Sequence, residues 1–424
     1  MDPIRRQRRD MCVIGFALFS MFFGAGNVIF PPYLGLGCGR EWALGFLCYY
    51  LADIGLALMA IFAIVRSGSS QAITRPIGHR ASTLLMSAIV LCIGPLLAIP
   101  RTAATTYEMS LAPLVSGFSP VLFSVLFFLV ILLLCLRESA VVDIVGKVLT
   151  PALLAGLLIL IVKGVLDPIG PVPDRVLVES VVRTGVEAGY QTMDVLAAAV
   201  FGILILDSAR EKGHTGRDQG RVVAGAAAVA GIALLVVYLG LTYLGVTTSR
   251  FFDLTVLRTF LMVSIVRNLL GGWGIVLFSV VVALACITTA VALVSSAAAY
   301  FSALSRRRVS YKALVVVICL FSAVVSNFGL EQIVSIAAPI LDVVYPPTLV
   351  LIVLALFPIP NHWVHRLAAL GAVAVSLLGA ARSLGAPLDA LDALPLSAYG
   401  FGWVLPAAVC GLLGLLIRPR PQNV

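Results

Sequence analysis

Along the chain, long apolar stretches alternate with short polar loops. A window of about 19 residues picks out twelve apolar runs, near 11–35, 42–65, 81–102, 118–136, 144–166, 188–209, 221–246, 270–304, 312–328, 332–357, 366–384 and 399–417. At 1.5 Å per residue, about 17–25 helical residues cross the hydrocarbon of a bilayer. The pattern therefore predicts an all-α polytopic membrane protein with about 12 transmembrane helices. An even number of spans places both termini on one side.

The first run is interrupted. Phe22-Phe23-Gly24-Ala25-Gly26-Asn27-Val28-Ile29-Phe30-Pro31-Pro32 puts two glycines, an asparagine and tandem prolines where lipid demands that every backbone donor and acceptor be satisfied. The helix is expected to open over Gly24 to Asn27 and to restart so that Pro31 and Pro32 fall in about its first turn, where a missing N–H costs least. The first half then ends in bare carbonyls around Ser20 to Phe23, suited to a small cation. The second half begins in bare N–H groups, suited to a carboxylate. A kinked helix whose glycines serve only close packing accounts for this stretch as well.

Dividing the first ten spans into two fives puts the sixth opposite the first, and in an inverted repeat it too should be discontinuous near the midplane. Glu187 to Gly202 fits: polar at first, small in the middle, with Asp194 where lipid forbids a carboxylate, Thr192 just before it and Gly202 able to ease a second bend. No proline marks this break. Ionisable groups cost about 2.5–3.5 kcal/mol or more at the centre of a span. Asp194 is the candidate to meet an ammonium group, or else a structural cap; Asp53 and Asp342 are read as structural. Thr288 and Thr289 in the eighth span offer hard oxygen ligands, although threonines also bond back to their own helix. Arg101 is placed at the outer end of the third span, snorkelling, with Glu108 as a possible outer-gate partner.

Composition agrees: 61% hydrophobic, 12% charged, mean hydropathy +1.08. The net charge of +9 comes from loops rather than from a nucleic-acid surface, because one face collects 20 of the 29 arginines and lysines, four of them in Met1–Asp10. By the positive-inside rule both termini are cytoplasmic. The first span is expected to be retained, as no small-residue cleavage site follows it. Eight scattered cysteines without CxxC spacing support neither disulfides nor zinc, and His362 and His365 lack a third ligand. The absence of HExxH, GxSxG and Walker A motifs argues against an enzyme. No prosthetic cofactor, nucleic acid or obligate protein partner is indicated.

The stretch Phe19 to Pro32 resembles the first-span signature of the bacterial branched-chain amino acid carriers, the LIV-II or BrnQ-type cation symporters. Gly94-Pro95 through Pro100-Arg101-Thr102, Gly189 to Asp194, and Leu284-Ala285-Cys286-Ile287-Thr288-Thr289 resemble that family's later motifs, in the same order. Gln191 and Cys286 depart from the pattern slightly. The resemblance implies a LeuT-like architecture: a basic N-terminus over 1–10, a first five-helix repeat over 11–166, an extracytoplasmic loop over 167–187, a second repeat over 188–357, and two added helices with a tail over 358–424. It also implies import of leucine, isoleucine and valine across the bacterial inner membrane, with sodium as coupling ion. That sodium would be held by the carbonyls of Ser20, Phe23 and Ala285 and the hydroxyls of Thr288 and Thr289. Gly24, Ala25, Gly26, Asn27, Thr192 and Asp194 are the candidate substrate-binding residues. A proton-coupled or uncoupled permease for aliphatic amino acids is the alternative.

Overall fold

The computed structural model describes residues 3–136, 140–383 and 385–417, and among these there is no strand. Of the basic residues counted above, Arg137, Arg418 and Arg420 lie outside the described residues. The first apolar run forms α1 (Pro3–Phe22) and α2 (Ala25–Cys38), parted only by Phe23 and Gly24. This break is tighter than the sequence led us to expect, so Gly26 and Asn27 belong to the first turn of α2. Pro31 and Pro32 sit inside α2, roughly two turns in, rather than in its first turn. There they remove the donors that would close on the carbonyls of Asn27 and Val28.

The second run is α3 (Trp42–Tyr50), a π-helical turn at Leu51–Gly55 that carries Asp53, and α4 (Leu56–Ser67), followed by the short α5 (Ser70–Thr74). The third comprises α6 (His79–Leu91), a π-helical turn kinked at Gly94 and Pro95, α7 (Ala98–Thr106) and a further π-helical turn at Tyr107–Leu111. It therefore extends well past the expected end near residue 102. After α8 (Pro120–Leu136) and α9 (Ala140–Leu166), the sixth run divides into α10 (Val181–Thr192) and α11 (Asp194–Glu211), bent by 40°. Its hinge is Met193, at φ +68°. Gly202 lies within α11 instead of bending it, and packs against Ile64.

The chain continues through α12 (Gly216–Val246) and α13 (Arg258–Leu304), the latter kinked at Gly271. It ends with α14 (Tyr311–Ser326), α15 (Leu330–Ala355), α16 (His362–Ser383) and α17 (Val404–Leu416). Among the described residues six helical segments, or seven with the broken α10–α11 pair, are long and apolar enough to cross a membrane, and four shorter apolar helices accompany them. Large apolar side chains face outward, as on α8, where Val121, Leu122, Val125 and Leu129 are exposed. Such a surface is stable against lipid and not against water.

The interrupted α1 and α2 run through the middle of the bundle, packed along α12. A Cβ at Gly35 would collide with the carbonyl of Thr242, and one at Gly245 with that of Pro32, so the two helices touch backbone to backbone. At the arginine-rich end, the buried Asp10 of α1 meets His214 Nε2 at 3.2 Å, and the other ring nitrogen of His214 meets Asp218. Gln7 donates to Asp218 at 2.7 Å and Arg6 to the Lys212 carbonyl at 3.0 Å. These contacts fasten the start of α1 to the α11–α12 connection.

Candidate functional site

The two breaks meet in the interior. Asn27, in the first turn of α2, aims its side-chain Nδ2 at the Phe22 carbonyl closing α1 (2.6 Å), at Asp194 Oδ2 on α11 (2.7 Å) and at the hydroxyl of Tyr238 on α12 (2.5 Å). With two N–H groups for three acceptors, it serves two at a time. Thr192, the last residue of α10, holds its hydroxyl 2.8 Å from Asp53 Oδ1 and 2.6 Å from the Gly189 carbonyl. Asp53 Oδ2 is buried without a hydrogen-bond partner. Asn27, Asp53, Thr192 and Asp194 are all buried. Asp53 thus does what the sequence allowed it, bracing a broken helix, whereas Asp342 proves exposed rather than deep.

Arg101 is the residue that the sequence misplaced. Its side chain is not at an outer rim but in the interior, with the residue only 4% exposed. Nη1 donates to the Gln191 carbonyl at 2.5 Å and Nη2 to that of Thr192 at 3.1 Å. It therefore caps the negative end of α10, where unpaired carbonyls call for a cation. The error came from the length of the third span: a helical run reaching Leu111 puts Arg101 in mid-span, and an end near residue 102 puts it at the surface. Glu108 does not pair with it either. Its Oε1 accepts from the Leu330 N–H at 2.9 Å and its Oε2 from the Thr259 hydroxyl at 2.8 Å, so it caps α15.

On its other side, the first break faces the eighth apolar run. A Cβ at Gly24 would lie 3.8 Å from the Thr289 methyl. The Thr288 hydroxyl donates to the Ala285 carbonyl at 2.9 Å, the local bond weighed above against ion binding, although three residues back instead of four. Ser20, Gly24, Ala285, Thr288 and Thr289 are half-buried, and Phe23 is buried. Around the paired breaks, the hydroxyls of Tyr49, Thr105, Tyr190 and Tyr345 and Arg101 Nε are buried without a hydrogen-bond partner. This is a polar, charged interior within a lipid-facing shell, and groups of that kind ask for a polar partner.

Two interrupted helices meeting through charged groups inside a helical bundle define a secondary transporter rather than an enzyme. The chain belongs to the family of branched-chain amino acid transport proteins, whose model matches residues 7–420. It is 37% identical to the branched-chain amino acid transport system 2 carrier protein of Pseudomonas aeruginosa, over 97% of this chain and 98% of that protein. Among solved structures it is similar to Mhp1, a nucleobase-cation-symport-1 family transporter (TM-score 0.65, 14% identity, 96% of this chain and 92% of that one). It is also similar to a Na+-coupled sialic acid symporter (TM-score 0.61, 13% identity, 96% and 90%). At such identities the likeness is one of fold, and that fold is the LeuT type.

Proposed function

We propose that this transporter imports leucine, isoleucine and valine in symport with sodium. Substrate binds where Gly24, Ala25, Gly26 and Asn27 face Thr192 and Asp194, and sodium where Ser20 and Phe23 face Ala285, Thr288 and Thr289. The observation that carries this reading is the Asn27–Asp194 hydrogen bond, which joins the two breaks so that a ligand at one is felt at the other. The start of α2 has no side-chain cap; the Gly24 N–H donates to the Phe22 carbonyl and that of Asn27 to Gly24, which leaves the N–H groups of Ala25 and Gly26 for a carboxylate, with Asp194 as the partner for the ammonium.

The basic loops favour both termini in the cytoplasm of a bacterial inner membrane. Residues 11–166 and 188–357 serve as the two repeats that rock about the site.

A second reading has its own observation. Thr288 already satisfies Ala285, and the buried Asp53 and Asp194 carboxyls, held by Thr192 and Asn27, could take a proton in place of sodium. Uptake of labelled leucine into proteoliposomes, with sodium and pH varied separately, distinguishes the two. For the sodium site, Thr288→Ala and Thr289→Ala should each raise the sodium concentration for half-maximal uptake at near-normal protein abundance. Unchanged sodium dependence in both would remove that site from the account.

A further inference from the structure

We propose that Arg101 anchors the α-carboxylate of the transported amino acid and so restricts the carrier to free amino acids. The inference rests on the transport reading above and deepens it. A guanidinium has five N–H donors in a rigid fork. Two of these are spent on the Gln191 and Thr192 carbonyls, Nε has no partner, and among the described residues no carboxylate comes within ion-pair distance. A buried cation holding only two carbonyls is under-satisfied, and one anion with two oxygens corrects this best.

Position selects which anion. A Cβ built on Gly26 would stand 3.0 Å from Arg101 Nη2 and 3.2 Å from its Cζ, so the guanidinium lies directly over the first turn of α2. The unpaired N–H groups of Ala25 and Gly26 and the spare donors of Arg101 therefore lie side by side. The Phe30 ring, 5.8 Å from Cζ, flanks the guanidinium. The absence of a side chain at Gly26 lets the guanidinium approach that turn closely, so that both sets of donors reach one carboxylate. Asp194, tied to the same helix by Asn27, remains for the ammonium at the other end of the substrate. Arg101 also holds the end of α10, so an anion bound to it is linked to both broken spans.

A purely structural Arg101, capping α10 and nothing more, would leave recognition of the carboxyl end untouched, and this separates the two roles. The test is competition against labelled isoleucine uptake in proteoliposomes by leucine, leucinol and leucinamide, for the full-length wild type, Arg101→Lys and Arg101→Gln. The wild type should prefer leucine over both analogues by about 100-fold, the scale of a lost charge-assisted hydrogen bond to a buried group. Arg101→Gln should lower uptake and shrink that preference to within about 10-fold, with Arg101→Lys between. If Arg101→Gln does not transport, the same three ligands are compared by thermal stabilisation of the solubilised variant. If it does not accumulate, the wild type and Arg101→Lys decide. A wild type indifferent to the analogues, or a variant keeping the full wild-type preference, overturns the proposal. Failure of the wild type to take up leucine at all is instead failure of the transport reading.

Discussion

Asn27 and Gly26 are neighbours with opposite tasks: one supplies an amide that bridges the two breaks, the other withholds a side chain so that Arg101 can approach. Gly26→Leu should abolish uptake while the protein still accumulates, because even a Cβ there meets the guanidinium at 3.0 Å. A well-expressed, fully active variant would mean that the space is not used. The residues of the first break were legible in the sequence because glycine, asparagine and proline announce themselves in an apolar run. Arg101 was not. Its function depends on where a helix ends, and hydropathy cannot fix that when the polar residues beyond Pro100 are themselves buried, as Thr102, Thr105 and Thr106 are.

At the scale of elements, Thr192 and Asp194 marked the second break in the sequence, but no glycine or proline marks its hinge. The hinge is Met193, whose left-handed backbone costs a non-glycine residue about 1–2 kcal/mol; Asn27, Thr192 with Asp53, and Arg101 hold the helix ends that surround it. Met193→Val keeps an apolar side chain but puts a β-branched one at positive φ, and should lower the melting temperature of the solubilised protein. An unchanged melting temperature would count against a strained hinge. The contact between α1 and the α11–α12 connection makes a pH prediction. The Asp218 hydrogen bond, opposed by burial and aided by Asp10, raises the His214 pKa above its ordinary 6.5. Burial works against ionisation of Asp10, yet His214, Lys212 and Arg9 together hold its pKa below the ordinary 3.8. The His214 contribution is complete below pH 6.5 and lost as pH rises through its folded value; that of Asp10 is complete above pH 3.8 and lost on acidification. Melting temperature should therefore fall on the alkaline side of this window, and His214→Gln should flatten that slope. An identical slope in the variant would show that the contact does not titrate as described.

For the whole molecule, the fold was legible because a bilayer allows a helical chain few alternatives: apolar runs become helices, and breaks survive only in the interior. Most helix bounds follow the expected runs; the third reaches Leu111, and α1, α10 and α13 begin early, at Pro3, Val181 and Arg258, so that α10 takes up the end of the loop expected over 167–187. The arrangement of charge around the two breaks is a property of the assembled bundle, since Asp53, Arg101 and Asp194 come from three separate runs. Substrate range belongs to this scale. An apolar pocket distinguishes one methylene by only about 1–3 kcal/mol, so leucine, isoleucine and valine should compete within roughly 200-fold of one another. Lysine and glutamate should compete far more weakly, since a second buried charge finds no partner; strong inhibition by either would contradict this view of the pocket. The coupling of aliphatic amino acid uptake to one cation is the central claim, and charge flux tests it most directly. In proteoliposomes with pH clamped and an inward sodium gradient imposed, labelled leucine should accumulate, with one net positive charge entering per leucine and uptake rising as the interior is made more negative. Equal uptake without sodium, or leucine entry that carries no charge, would contradict the account.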